Sequence, residues 1–253
     1  TKADMFFANK LIFVEGVAEE LLLPVFARYL NKNLTDEHVL VVNMGGRYYN
    51  HFLKLFDTKN PYTINKKIVC LTDIDPCRKK NVPNEDYETC YPYEYNVDTV
   101  NYKYTHHADT EVDQYVTHPN IRFYRQDVTY GKTLEYDMMR ENPNCELLLT
   151  ESVSNTSEIK AMMAERDFNA MIGKLRKSDA NTRIKTSIEA SDWTDEEKRK
   201  AVLASRYLNS VSKGSNALEL NVALMANLEK PEADRIEFHV PQYIADALTW
   251  LLS

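Results

Sequence analysis

The sequence predicts an α/β fold with a doubly wound parallel sheet, and three observations carry that expectation. Short apolar runs recur along the first half of the chain: "KLIFVEG", "HVLVVNMGG" and "KKIVCLTDID". Segments with helical apolar spacing separate them. The runs stop on Gly or on acids, as buried strands do where the chain turns back. Strands alternating with helices imply right-handed crossovers, and ligand chemistry in such sheets gathers at the carboxyl ends of the strands.

In order, "KLIFVEG" is a first buried strand and "VAEELLLPVFARYL" a helix, with Pro24 marking a kink or a late start. "HVLVVNMGG" is a second strand and "RYYNHFLKLF" a second helix. "KKIVCLTDID" is a third strand that ends in acids, and "NIRFYRQD" a fourth. The alternation breaks from Arg78 to Asn120, a Tyr- and acid-rich insertion around 78–120 with one helix near His106 to Tyr115. After Glu151 the chain reads as helical through "SEIKAMMAERDFNAMIGKLRKSD" and "DEEKRKAVLASRYLNSV". Thr194 and Glu197 make a capping box before the latter. "SNALELNVALMAN" and "VPQYIADALTWLL" are further helices, with Pro241 suited to a first turn. The expected organisation is a catalytic α/β domain over 1–150, a helical region over 151–212, and C-terminal helices over 213–253 that complete the catalytic region.

The 253 residues suffice for a sizeable core, and the net charge of −7 excludes a strongly basic nucleic-acid binder. Any DNA contact must come from a local patch or through metal ions. Cys70, Cys77, Cys90 and Cys145 are few and irregularly spaced, which argues for a reducing cytoplasm over a disulfide framework. No signal peptide and no apolar run of membrane-spanning length is present, so no membrane association is expected. The opening "TKADMFFANK" lacks an initiator Met, which fits an excised or processed chain.

Two clusters of acids point to chemistry. Asp73 and Asp75 lie two apart at a strand end, so period-2 geometry sends both carboxylates to one side. Carboxylates sharing a face need a proton, a base or a metal, and hard oxygen donors suit Mg²⁺ or Mn²⁺. An acidic turn before Pro76 with no ligand is the simpler alternative. "LIFVEGVAEELLLP" places Glu15, Glu19 and Glu20 close together, with no base before Arg28. With a helix starting near Val17, Glu19 faces back toward the strand end and Glu20 is solvated surface. If strands one and three are neighbours, Glu15, Asp73 and Asp75 share one crevice, and one or two divalent cations remove the cost of gathering them. Capping of a helix N-terminus is the other role open to Glu15 and Glu19.

Glu15-Gly16 at the first strand end, Asp73-Ile74-Asp75 at the third, and "VVNMGG" between them resemble the TOPRIM domain of topoisomerases, primases and certain nucleases. The fuller "VEGVAEELLLPVF" resembles the OLD (overcoming lysogenization defect) family of ATP-linked endonucleases. "TYGKTLEYDMM" is similar to that family's motif with an acidic metal ligand, which carries over to Glu135. "SKGSNALEL" is similar to its late Lys-Gly motif, which carries over to Lys213. The resemblance spans roughly the whole chain and is weakest at 78–120 and 151–205.

It implies a TOPRIM-like parallel sheet flanked by helices, with an additional helical region. It also implies a two-metal phosphodiesterase that nicks or cleaves DNA. Glu15, Glu19, Asp73, Asp75 and Glu135 would hold two Mg²⁺ or Mn²⁺ ions, with Glu15, Asp73, Asp75 and Lys213 catalytic. OLD proteins carry an ABC-type ATPase domain ahead of this region. The resemblance therefore implies a nuclease part of a larger cytoplasmic protein of phage defence or DNA processing, with room for a homo-oligomer. By themselves Lys213 reads as a solvated lysine before a helix and Glu135 as an ordinary first-turn glutamate.

Other motifs point elsewhere. Gly131-Lys132-Thr133 ends like a P-loop, but the motif's first Gly falls at Gln126, so no nucleotide is expected to bind this chain. Cys77, Cys90, His106 and His107 suggest zinc but lack a tight C-x-x-C pair. The Tyr cluster from Tyr87 to Tyr104 either stacks on single-stranded bases or packs the insertion onto its domain. "GKLRKSDANTRIK" is locally basic, as a DNA-backbone contact or a solvated helix face. "LTDIDPC" also suits a haloacid-dehalogenase-type phosphatase, although that family has Thr or Val at the position of Cys77 and its D-x-D on the first strand. A non-catalytic TOPRIM-like docking or dimerisation module is the remaining alternative.

Overall fold

The computed structural model describes residues 2–107 and 109–253. Its centre is a parallel sheet of β1 (Lys10–Val14), β2 (Val39–Asn43), β3 (Lys67–Leu71) and β7 (Ile121–Tyr124), in the order β2-β1-β3-β7. The register sets Phe13 beside Val42 and Cys70, and Leu71 beside Tyr124, so four strand ends finish together.

Both faces of this sheet are covered, which is why its strands are continuous apolar runs. Leu11, Phe13, Ile68, Cys70, Ile121 and Phe123 point into one core, with Tyr49, Leu53 and Phe56. Here α2 (Tyr49–Leu53) contributes only a short helix, less than "RYYNHFLKLF" suggests. Ile12, Val14, Val69 and Leu71 point into the other core, beneath α1 (Val17–Tyr29). Pro24 sits inside α1, without ending it. The hydrogen bond it cannot donate belongs to the carbonyl of Glu20, an exposed residue where solvent can satisfy the oxygen.

The insertion holds structure that its composition did not announce. β4 (Cys77–Lys80), β5 (Glu88–Thr89) and β6 (Tyr102–Thr105) form a small antiparallel sheet in the order β5-β4-β6. The helix expected near His106 to Tyr115 is α3 (Asp109–Tyr115), and Ala108 lies outside the described residues. The Tyr cluster mainly packs. Tyr91 and Tyr93 are buried and stacked at 5.2 Å, Tyr93 meets Trp193 edge-on at 6.0 Å, and Tyr95 stacks on His106 at 4.1 Å.

After β7 come α4 (Leu134–Glu141), α5 (Thr156–Ala164), α6 (Phe168–Ile172), α7 (Asp179–Glu189), α8 (Asp195–Leu208), α9 (Lys213–Glu229) and α10 (Gln242–Leu252). Thr194 caps α8 by accepting from the Glu197 amide at 3.3 Å, while Pro241 stands at the N-cap of α10, just before its first turn. The helical region shares one core with the sheet: Ile12, Val69, Tyr136, Ile159, Val202, Leu220 and Leu251 belong to the same apolar cluster. A buried ion pair ties it internally, with Arg206 donating from Nε and Nη2 to Glu158 at 2.9 and 3.0 Å.

The basic stretch "GKLRKSDANTRIK" is largely neutralised within the chain. Lys174 pairs with Glu165, Arg176 with Glu158, Arg183 with Glu94 and Lys185 with Glu189.

Candidate metal centre at the strand ends

The carboxyl ends of β1, β2, β3 and β7 supply the site, and α1, α4 and α9 begin beside it. Glu15 follows β1 directly. Its Oε1 accepts from the Asp73 amide at 3.1 Å and from the Thr72 hydroxyl. Gly16 is the N-cap of α1, with extended backbone. A Cβ there would lie 3.3 Å from Oε2 of Glu19, so the turn keeps the Glu19 carboxylate close.

Beyond β2 the chain runs over this crevice. The Gly46 amide donates to the carbonyl of Glu15 at 2.8 Å. Gly45 and Gly46 take φ values of +71° and +122°, which L side chains rarely adopt. The turn delivers Arg47, which the sequence reading missed. Its Nε donates to Glu15 Oε1 at 3.2 Å, and its Nη2 donates to the Asp73 carbonyl at 2.9 Å and lies 3.7 Å from Asp75 Oδ2. The one signal for it was a base directly after "GG" at a strand end.

Asp73 is fixed from the far side. Its Oδ1 accepts from Gln126 Nε2 at 2.6 Å and from the Leu134 amide at 3.2 Å, while Gln126 Oε1 accepts from the Ile74 amide at 2.8 Å. Gln126 follows β7 and is buried. Gly131 is required beneath it, because a Cβ there would fall 2.3 Å from Gln126 Cβ and 2.7 Å from the Asp127 carbonyl. Thr133 caps α4 through Tyr136, and its hydroxyl donates to Glu135 Oε2 at 3.1 Å. The "GKT" stretch thus turns the chain from Gln126 into α4.

Lys213 opens α9, which packs along α1, as the approach of Gly214 to Val17 shows. Its ammonium lies 3.0 Å from Glu135 Oε2, where the Glu135 side chain is 4% exposed and that of Lys213 is 54% exposed. Glu20, by contrast, is exposed and accepts from Asn43 Nδ2 at 3.1 Å, away from the crevice.

The electrostatics record an excess of buried acid. Burial pushes the Asp73 carboxyl well above the usual range, and Glu19, Asp75 and Glu135 push it further. Glu19 is also raised, by burial first and then by Glu135 and Glu15. Burial works to lower the Lys213 ammonium, but Glu135 and Asp73 outweigh it and hold the group above its usual value.

The five acids therefore lie within electrostatic reach of one another but do not converge on one point. Among the described residues no three His, Cys, Asp or Glu side chains stand close enough to hold an ion. The same holds for Cys77, Cys90, His106 and His107, of which Cys77 Sγ and His107 Nε2 are 3.1 Å apart. The reason at the crevice is visible in the hydrogen bonds: Arg47 draws Glu15 and Asp75 to itself, Gln126 holds Asp73, and Lys213 with Thr133 holds Glu135. The donor chemistry fits a hard divalent cation, since all five candidates are carboxylates, and burial followed by their mutual repulsion raises Asp73 and Glu19.

The family model described as "Overcoming lysogenization defect protein-like, TOPRIM domain" matches residues 6–75. No curated protein matches the chain. Among solved structures, the C-terminal region of the Burkholderia pseudomallei OLD protein is 21% identical, over 97% of this chain and 98% of that one, with a TM-score of 0.46. The C-terminal region of the Xanthomonas campestris pv. campestris OLD protein is 19% identical, over 98% of this chain and 94% of that one, also with a TM-score of 0.46. The matched segment runs through β1, Glu15-Gly16, β2 and β3 to Asp75, so residues 6–75 of this chain are similar to an OLD-like TOPRIM domain.

Proposed function

We propose that this chain is a nuclease module that hydrolyses DNA phosphodiesters with Mg²⁺ or Mn²⁺. The observation that carries the reading is the acid at the strand ends: Glu15, Glu19, Asp73 and Asp75 half-buried and Glu135 buried beside Arg47 and Lys213, with Asp73 and Glu19 raised by burial and by their neighbours. An anionic crevice in a chain of net charge −7 repels a polyanion unless cations stand between them. Two ions held by these five carboxylates would supply a water nucleophile and charge stabilisation on the scissile phosphate.

The chain's own groups have separable roles. Gln126 and the Leu134 amide orient Asp73, leaving its other oxygen for a ligand. Arg47 orients Glu15 and Asp75. Lys213 keeps its proton, and its half-exposed ammonium would stabilise charge on a phosphoryl oxygen if Glu135 held a cation. Under this reading 1–150 is the catalytic domain with its insertion, 151–212 a helical region, and 213–253 completes the site by delivering Lys213. An ABC-type ATPase domain in a parent chain, homo-oligomerisation, a cytoplasmic location and a role in phage defence or DNA processing belong to the same proposal. No helix among the described residues is long and apolar enough to cross a membrane.

Plasmid cleavage is the test, with Mg²⁺, Mn²⁺ or chelator, wild type beside Asp75→Ala and Glu15→Ala. Nicked or linear product that needs metal and disappears in both variants supports the reading. Metal-independent cleavage, or full rates in both variants, sinks it. A second reading, a docking module without catalysis, draws on the way Arg47 and Lys213 already neutralise the acids. Calorimetry showing no divalent-cation binding favours it.

A further inference from the structure

Lys132 is used by no step of that reaction, and its setting is unusual. It is 6% exposed, yet among the described residues no carboxylate forms an ion pair with it. Its Nζ donates once, to the Cys90 carbonyl at 2.9 Å, which leaves two N–H groups of a buried ammonium without a partner. The charge of opposite sign that bears on it most is Asp75, which is drawn to Arg47 at 3.7 Å. A buried cation in this position calls for an anion.

The space for one is present. Lys132 lines a cavity of about 320 Å³ between the insertion and the helical region, with Thr89, Cys90, Tyr91, Ala180, Arg183, Leu208 and Asn209. None of these residues is acidic. Arg183 stands at its rim, bound through Nε and Nη2 to Glu94 at 2.9 and 2.7 Å and to the Thr89 carbonyl, and among the described residues no hydrogen bond engages its Nη1. Both cations lie over the ring of Tyr91, Lys132 at 5.9 Å and Arg183 at 5.4 Å. Tyr93 stacks on Tyr91 and Asn209 bonds its hydroxyl, so that platform is fixed.

We propose that this cavity binds phosphate, free or as a monoester, with Lys132 at its base and Arg183 at its rim. Several acceptor oxygens on one small anion meet the rotatable donors of the ammonium and the remaining edge of the guanidinium. The volume exceeds that of a bare phosphate, so an esterified one also fits. The cavity shares no lining residue with the carboxylate crevice and does not depend on the nuclease reading.

The test is titration calorimetry of the whole chain with inorganic phosphate and with a nucleoside 5′-monophosphate, at matched ionic strength in chloride, with the unphosphorylated nucleoside as control. Wild type is expected to bind phosphate at one site in this cavity. Lys132→Met, which keeps the volume but not the charge, is expected to weaken it at least tenfold. Ala180→Glu places a carboxylate at the exposed mouth without removing any bond and is expected to do the same, with melting behaviour reporting an intact fold. Lys213→Met is expected to retain the binding, which separates this site from the crevice. Tighter binding of the monophosphate marks an esterified ligand, and equal or weaker binding marks free phosphate. Absence of phosphate binding, equal binding of the unphosphorylated nucleoside, or unchanged binding in Ala180→Glu overturns the proposal.

Discussion

Lys213 Nζ and Glu135 Oε2 stand 3.0 Å apart, the first residue of α9 against the first turn of α4, although the whole helical region separates them in sequence. The pair brings α9 and α4 together beside the strand-end acids. It also presents the cation of the site that is most exposed to an incoming phosphate.

Lys213→Met should therefore leave the fold in place and lower metal-dependent cleavage by about 100-fold, the usual effect of removing one donor to a developing oxyanion. Single-turnover plasmid nicking beside a thermal melt measures both. Wild-type cleavage in the variant would assign the lysine to surface solvation alone.

Arg47→Ala removes the guanidinium that draws Glu15 and Asp75 together. Without cations the variant should melt lower than wild type, because the acids lose their counter-charge. Mg²⁺ or Mn²⁺ should raise its melting temperature more than that of wild type, since ligand binding to the folded state adds stability by mass action. An equal metal-induced shift in the two proteins would show that Arg47 does not compete with cations.

Gly131→Ala sets a Cβ 2.3 Å from Gln126 Cβ. Overpacking of this kind costs about 1–3 kcal/mol, and the side chain it displaces is the one that holds Asp73. Chemical denaturation should report the loss of stability, and cleavage should fall with it. A variant as stable and active as wild type would mean that the loop relaxes freely.

The buried Glu158–Arg206 pair predicts both a mutational and a pH effect. Glu158→Ala leaves Arg206 buried without its partner and should cost about 3–5 kcal/mol. Burial works to raise Glu158 and Glu94, and their arginines outweigh it, so both carboxyls are held below the ordinary 4.5. Groups lowered in the folded state add stability that is present above the unfolded value and lost as pH falls through the folded one. Melting temperature should therefore drop as pH is taken from neutral to below 4.5, and less steeply in Glu158→Gln. Parallel acid limbs in the two proteins would remove Glu158 from the account.

The sheet was legible in the sequence because strands buried on both faces must be apolar runs, and the acids that end them stand where no core would keep them. "KLIFVEG" and "KKIVCLTDID" announce β1 and β3 with Glu15, Asp73 and Asp75 at their ends. Glu20 read as surface because nothing in the α1 period turns it inward. Arg47 was not legible: its meaning depends on a two-glycine turn folding back over β1, and a base after "GG" has no periodicity to mark it.

The antiparallel sheet of the insertion was hidden for a similar reason, since its strands are short and polar and are held by neighbours rather than by a core pattern. Sequence alone thus determined the parallel α/β core and the acids that stand at the ends of β1 and β3, because local burial and period-2 geometry write both into the residue order. Only the tertiary structure decided which cations answer those acids. Arg47 meets Glu15 and Asp75, and Lys213 meets Glu135, across segments far apart in the chain, and no local pattern encodes that pairing.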